Sequence, residues 1–183
     1  MVSIDMLAAV HHPVRRRIID HLVIHGPAQV GTLATAFGEQ VGSISHHLRM
    51  LQRVGVVEPA PELATDRRAS WWRYAKLSIS WSADDFAEKP AELHRARVAE
   101  KLNVEHQFGK LVAWKKRSER MTARWRRAAF STDTLAKATP EELSDLCDRV
   151  VATVREWKTE IDTDDGQERE PVFVFAHGFP SLP

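Results

Sequence analysis

The sequence predicts a mainly α-helical protein with one small β-hairpin, and three features of the chain support this fold class. Apolar residues recur at helical spacing through most of the chain. Glycine and proline interrupt that pattern in the first third, so the helices there must be short. One aromatic-rich stretch, Trp71 to Ala75, has the composition of a strand instead. We therefore expect short helices with a hairpin over residues 1–82 and a helical region over residues 83–183.

Four short helices are predicted before the hairpin. An amphipathic helix covers about residues 1–10, and a second begins at Pro13, because proline suits the first turn of a helix. The second helix ends at Gly26-Pro27, and a third ends near Gly38. The fourth runs from Gly42 to Val54.

The fourth helix is the most informative segment of the chain. One face carries an apolar stripe of Ile44, Leu48, Leu51 and Val54. The opposite face is small, polar and basic, has no carboxylate, and consists of Gly42, Ser43, Ser45, His46, Arg49 and Arg53. A helix of this kind, presented by a partner helix, fits the major groove of DNA. The sequence therefore predicts DNA binding by this face, and the alternative is a helix that contacts another protein.

A β-hairpin follows the fourth helix. Its first strand lies at Val56 to Glu58 and its second at Trp71 to Ala75, and the loop between them carries Arg67 and Arg68. We expect these two arginines, together with Arg73, to contact DNA phosphates or the minor groove. Alternating residues from Leu77 to Trp81 would let the sheet continue.

The second half of the chain is predicted to contain two long helical segments. The first spans Pro90 to about Phe130, with a break near Gly109 or Ser118. The second begins at Thr139 with a capping box. It carries a heptad-like seam of Leu143, Cys147, Val150, Val154, Trp157 and Ile161. The seam predicts an interface with another helix, from the same chain or from a second copy, and Cys147 is expected there as a small buried hydrophobe. A short strand is expected at residues 171–175.

The net charge of +1 conceals an uneven distribution along the chain. Residues 95–127 carry eleven Lys/Arg and three Asp/Glu, a net charge of +8. Residues 133–170 carry five Lys/Arg and twelve Asp/Glu, a net charge of −7. Two interpretations remain open: the segments neutralise each other across an interface, or the basic segment contacts DNA a second time.

The first 80 residues resemble the winged helix-turn-helix of the ArsR family of bacterial repressors. The resemblance rests on the order and spacing of His12-Pro13-Val14-Arg15, Leu33-Ala34, the run from Ser45 to Leu51, Gly55-Val56-Val57, and Trp72-Arg73-Tyr74. It implies a homodimeric transcription regulator, a repressor, that binds double-stranded DNA at a palindromic operator. Residues 83–183 would then extend the domain as a helical dimerisation region.

The metal sites of this family are not evident in the chain. Metal-sensing members carry paired cysteines near the first helix of the motif, but Gln29 to Thr32 contain none. His94 and His106 are twelve residues apart, which rotates them by about 120° around a helix. His21 and His25 share a helix face without an evident third ligand. We therefore expect no metal and no cofactor, with an atypical metal sensor as the alternative.

Other functions are constrained by what the sequence contains. A lone cysteine excludes an internal disulfide framework, and no apolar run is long enough to span a membrane. No secretory signal is visible at the amino terminus, so a cytoplasmic protein is expected. There is no glycine-rich phosphate loop, serine elbow or HExxH motif, so no enzymatic activity is expected. If a small organic effector binds, Trp114, Trp125 and Trp157 are the predicted pocket residues.

Overall fold

The computed structural model describes residues 2–64, 70–75 and 81–182. Its internal contacts divide the chain into two compact units, residues 1–111 and residues 112–183. The chain is mainly helical with a small antiparallel sheet, as the sequence predicts. The helices are α1 (Ile4–Val10), α2 (Pro13–His25), α3 (Val30–Phe37), α4 (Val41–Arg53), α5 (Pro90–Arg117), α6 (Ala123–Ala128) and α7 (Pro140–Glu160). The strands are β1 (Ala28–Gln29), β2 (Val57–Pro59) and β3 (Trp71–Tyr74).

The core of the first unit forms around the apolar stripe of α4. Ile44, Leu48 and Leu51 are each 0% exposed. They belong to one cluster with the apolar side chains of α2, α3 and the start of the sheet, namely Ile18, Ile19, Leu22, Leu33, Val56 and Val57. Burying side chains of this size is the main favourable contribution to folding. The apolar stripe thus fixes which face of α4 remains in solvent.

The sheet has the strand order β1-β3-β2, and both pairings are antiparallel. Val57 lies opposite Tyr74, and Ala28 of β1 lies opposite Trp72. The predicted hairpin of β2 and β3 is therefore present, whereas β1 was not foreseen. Arg67, Arg68 and the segment 76–80, where a continuation of the sheet was expected, lie outside the described residues.

A second, smaller cluster joins the amino terminus to α5 within the first unit. Ile4 and Leu7 of α1 are buried with Ala96 and Ala99 of α5. An ion pair between Arg95 and Asp5, 2.6 Å long, lies beside this cluster. The first compact unit consequently extends to residue 111, beyond the position at residue 82 where the sequence suggested a division.

The second unit contains the end of α5, α6, α7 and the carboxy-terminal segment. A 3₁₀ turn at Ser118–Arg120 ends α5, at one of the two positions predicted for a break. The predicted capping box of α7 is also present: the Thr139 hydroxyl accepts the Glu142 backbone N–H, and the Glu142 carboxylate accepts the Thr139 N–H.

Two expectations for the second unit were wrong. Residues 171–175 do not form a strand, although the Phe173 and Phe175 rings lie 6.0 Å apart. Cys147 is exposed, and no residue of α7 is buried. The physical reason is the same in both cases, because an apolar pattern identifies a face that can be covered but does not supply the covering element.

His11, at the end of α1, is buried, with only 8% of its surface exposed. Its ring lies 5.6 Å from the Trp81 ring. Burial, followed by the charges of Arg16 and His106, lowers the pKa of His11 to about 4. The folded protein therefore holds the imidazole neutral, whereas the unfolded chain protonates it near its ordinary pKa.

We predict that Gly38→Ala destabilises the first unit by about 1 kcal/mol. Gly38 ends α3 with φ +67°, a left-handed conformation that an alanine side chain disfavours. The matched control is Gly31→Ala, inside α3, where an added methyl group meets nothing within 4 Å. Urea unfolding followed by circular dichroism measures both variants. Equal stability of the two variants would contradict the prediction.

We also predict that the free energy of unfolding falls as the pH decreases from 6.5 to about 4, because in this range the unfolded chain protonates His11 while the folded state keeps it neutral. The contribution of His11 to the free energy of unfolding is constant above pH 6.5. Between pH 6.5 and about 4 it changes by at most about 1.4 kcal/mol per pH unit. Burial also lowers the pKa values of His12, His21, His47 and His106, which add slope of the same sign. Urea unfolding at a series of pH values should give a shallower dependence for His11→Gln. An unchanged slope would refute the role of His11.

Candidate nucleic-acid interface

The solvent face of α4 is open and unobstructed. Gly42, His46 and Arg49 are exposed, and Ser43 and Ser45 are half-buried beside them. A Cβ atom placed on Gly42 would meet no atom within 4 Å. The predicted recognition residues thus share one accessible surface, at which a DNA backbone can approach closely at the glycine.

The positive charge on this face is not compensated within the helix. Arg49 has neither an ion pair nor a hydrogen bond to any residue that the structure describes. Among the described residues, Arg53 makes only a weak contact, 3.6 Å from a terminal nitrogen to the Met50 sulfur. Helix α4 contains no carboxylate. Both guanidinium groups can therefore donate to phosphate or base acceptors without first breaking an ion pair.

A histidine pair connects α4 to the start of α2. The rings of His12 and His47 lie 5.0 Å apart, and the His46 ring lies 5.6 Å from that of His47. Desolvation, then the charge of Arg15, lowers the pKa of both His12 and His47. The Arg15 guanidinium is itself held by the Ala8 carbonyl, 2.9 Å away. Two histidine rings whose protonation is disfavoured therefore pack against each other where α4 meets the start of α2, an arrangement that the sequence did not indicate.

Arg73 of β3 is in a different state from the arginines of α4. Its guanidinium donates to the Glu58 carboxylate at 2.7 Å and to that of Glu62. The hydrogen bond that Arg73 donates to Glu58 and the charges of both carboxylates raise the pKa of Arg73. Glu58 lies opposite Arg73 in the β2–β3 register, which explains the pairing. Arg73 thus stabilises the hairpin, and its charge is already balanced before any DNA arrives.

The three tryptophans expected to line an effector pocket have separate environments. Trp125 lines a shallow cleft with Glu168, Arg169 and Glu170, and neither Trp114 nor Trp157 lines it. The Arg117 guanidinium lies 5.9 Å from the ring of Trp114. Trp157 is 42% exposed on α7. A pocket formed by all three therefore stays a prediction.

His21 and His25, considered as metal ligands, have no third ligand among the described residues. His21 and His25 have rings 4.6 Å apart, and the Phe37 ring lies 5.8 Å from His21. Within residues 2–64, 70–75 and 81–182, no group of three or more His, Cys, Asp or Glu side chains could hold a metal ion. In the same part of the chain, no helix is both long enough and apolar enough to cross a membrane.

Comparison with known proteins assigns the segment that contains the exposed face of α4 to a domain family. Residues 10–60 match a family described as "Helix-turn-helix domain", and no curated protein matches the chain. One similar solved structure is titled "Crystal structure of Possible transcriptional regulator for arsenical resistance". It is 28% identical, the match covers 60% of this chain and 94% of that chain, and the TM-score is 0.34. The assignment rests on the family match and not on that solved structure.

Residues 10–60 are a helix-turn-helix domain that includes α2, α3, α4 and β2. A helix-turn-helix domain in this part of the chain is what the sequence resemblance implied. The match supports a DNA-binding transcriptional regulator and gives no support for an enzyme.

Proposed function

We propose that this protein is a homodimeric transcriptional repressor of the cytoplasm that reads a palindromic operator in double-stranded DNA. The observation that carries the proposal is the exposed face of α4, which presents uncompensated positive charge while the other face is locked in the core. In each subunit α4 would enter the major groove, and the β2–β3 hairpin would lie along the neighbouring DNA backbone.

The residues of α4 would make different kinds of contact with DNA, according to their chemistry. Gly42 allows the backbone to come close to the DNA, and Ser43 and Ser45 can donate to phosphates or to either type of base. Arg49 has the fork geometry that pairs with the O6 and N7 atoms of guanine. His46 can reach a base edge or a phosphate, and Arg53 continues the same face toward the end of the helix.

A second copy of the chain is proposed as the partner of α7. The six seam positions recur at heptad spacing, and none of them is buried in the described chain. Leu143, at the start of the seam, lies near Gly178 of the carboxy-terminal segment. A dimer with a two-fold axis would place two α4 helices on half-sites about one DNA turn apart. A bound dimer that overlaps a promoter would repress transcription, and a small organic effector is proposed as its release signal.

We predict that the double variant His46→Ala/Arg49→Ala loses about tenfold to a hundredfold in affinity for its operator, because a bidentate contact to a base contributes about 1–3 kcal/mol. A gel-shift assay with the DNA upstream of its own gene, at physiological salt, measures the loss. The matched control is His94→Ala/Arg149→Ala, which removes the same two residue types from exposed positions on α5 and α7.

The control variant should bind as the wild type does. If the wild type and the α4 variant bind that DNA equally weakly, the DNA-reading proposal is wrong. A winged helix that contacts another protein then becomes the better interpretation of the same surface.

We predict that Val150→Glu/Trp157→Glu converts the dimer into a monomer, because four carboxylates would face one another across the paired seams. Sedimentation equilibrium should then give a mass near 20.8 kDa instead of twice that value. The control is Ala152→Glu/Thr159→Glu, which adds the same charge to the opposite face of α7. A wild-type mass of one chain would contradict the proposed dimer directly.

A further inference from the structure

A strongly cationic surface lies outside the helix-turn-helix domain, at the start of the second unit. Residues 112–127, here named the cationic segment, carry seven Lys/Arg and one carboxylate, Glu119, a net charge of +6. The seven are all exposed: Lys115, Lys116, Arg117, Arg120, Arg124, Arg126 and Arg127. The segment comprises the last turns of α5, the 3₁₀ turn and α6.

The structure leaves this charge without an acidic partner. None of the seven side chains forms an ion pair with a carboxylate of the described residues. Earlier on α5, three of the four cations are paired: Arg95 with Asp5, Lys101 with Glu105 and Lys110 with Asp20, at distances of 2.6, 3.9 and 2.9 Å. The change from paired to unpaired cations occurs within α5, so a high content of arginine alone does not explain the unpaired charge.

The acidic part of the second unit does not neutralise the cationic segment in this chain. Its described ion pairs are local, between Asp145 and Arg149 at 3.0 Å and between Asp165 and Arg169 at 2.6 Å. Arg169 lowers the pKa of Asp165 to about 2. Like charges within a compact segment repel one another, and binding of a polyanion relieves that repulsion.

Local hydrogen bonds and a ring contact order the cationic segment. The Thr122 hydroxyl caps α6 by accepting the Trp125 N–H, and the Ser118 hydroxyl donates to the Lys115 carbonyl at 3.0 Å. The Arg126 guanidinium donates to the Met121 carbonyl. Arg117 lies over the Trp114 ring, 5.9 Å from its centroid. Because the backbone is ordered in advance, less conformational entropy is lost when the arginines bind.

We infer that the cationic segment is a second DNA-contacting surface, which binds the phosphate backbone of the duplex that α4 reads. This inference rests on the proposed function. Five of the seven cations are arginines, whose planar fork matches a phosphate group. Trp114 and Trp125 are half-buried, so the surface offers guanidinium and ammonium groups in place of stacking rings. Such contacts add affinity that falls steeply with salt and does not depend on base sequence.

The test compares salt dependence in the full-length protein. Fluorescence anisotropy with labelled 60-base-pair duplexes, one from upstream of its own gene and one of scrambled sequence, gives log K against log salt from about 50 to 200 mM. In the variant Lys116→Gln/Arg120→Gln/Arg124→Gln/Arg127→Gln, the slope should fall by about 0.9 for each lost phosphate contact. The affinity near 0.1 M salt should fall about tenfold or more, for both duplexes alike.

Two control variants separate local contacts from total charge. Lys101→Gln/Lys137→Gln/Arg149→Gln/Lys158→Gln removes four exposed cations elsewhere and should leave the slope nearly unchanged. Arg120→Lys/Arg124→Lys/Arg127→Lys keeps the charge and should retain most of the slope. Circular dichroism should show the same helix content in all variants, because every substituted side chain is exposed.

The inference is overturned if the wild type binds both duplexes and the glutamine variant has the same slope and affinity. If the wild type binds neither duplex, the proposed function itself fails. The cationic segment could instead bind the acidic α7 of a second copy. In that case the glutamine variant would sediment as a monomer with unchanged DNA salt dependence, which also overturns the inference.

Discussion

The burial of one apolar stripe on α4 is the interaction on which the rest of the first unit depends. Ile44, Leu48 and Leu51 have no exposed surface, and they pack with residues from α2, α3 and β2. Rotation of α4 about its axis would expose these side chains, at a cost of about 1.5–3 kcal/mol for each. The polar face is therefore held at a fixed angle, which a groove-reading surface requires before any contact with DNA is made.

The sequence was sufficient for this part of the fold because the relevant pattern is local. In α4 and at its C-cap, Ile44, Leu48, Leu51 and Val54 recur at spacings of four and three, and Thr139 with Glu142 forms a capping box that is evident in the sequence. Strand β1 was missed because two residues are too few to show alternation. Its existence depends on β3, more than 40 residues away in the chain.

The candidate site was predictable in composition and less so in electrostatic state. Residue types and helical spacing indicate which side chains share the α4 face, but not which of them have partners. Arg49 and Arg73 look equivalent in the sequence, yet two carboxylates neutralise only Arg73. Likewise, the contact between His12 and His47 arises from the approach of two helices and has no local signal. The sequence therefore predicts where the side chains lie on the helix, whereas their charge compensation and burial depend on tertiary neighbours.

Neighbouring residues of α4 differ sharply in how freely they can change. Leu48 is enclosed by the core, whereas Arg49, the next residue, forms no hydrogen bond or ion pair with a described residue. Under the proposed function, substitutions at the exposed positions should therefore alter the preferred base sequence with little effect on folding. A regulator that works as proposed could diverge toward new operators through a few changes on one face, while its scaffold stays constant.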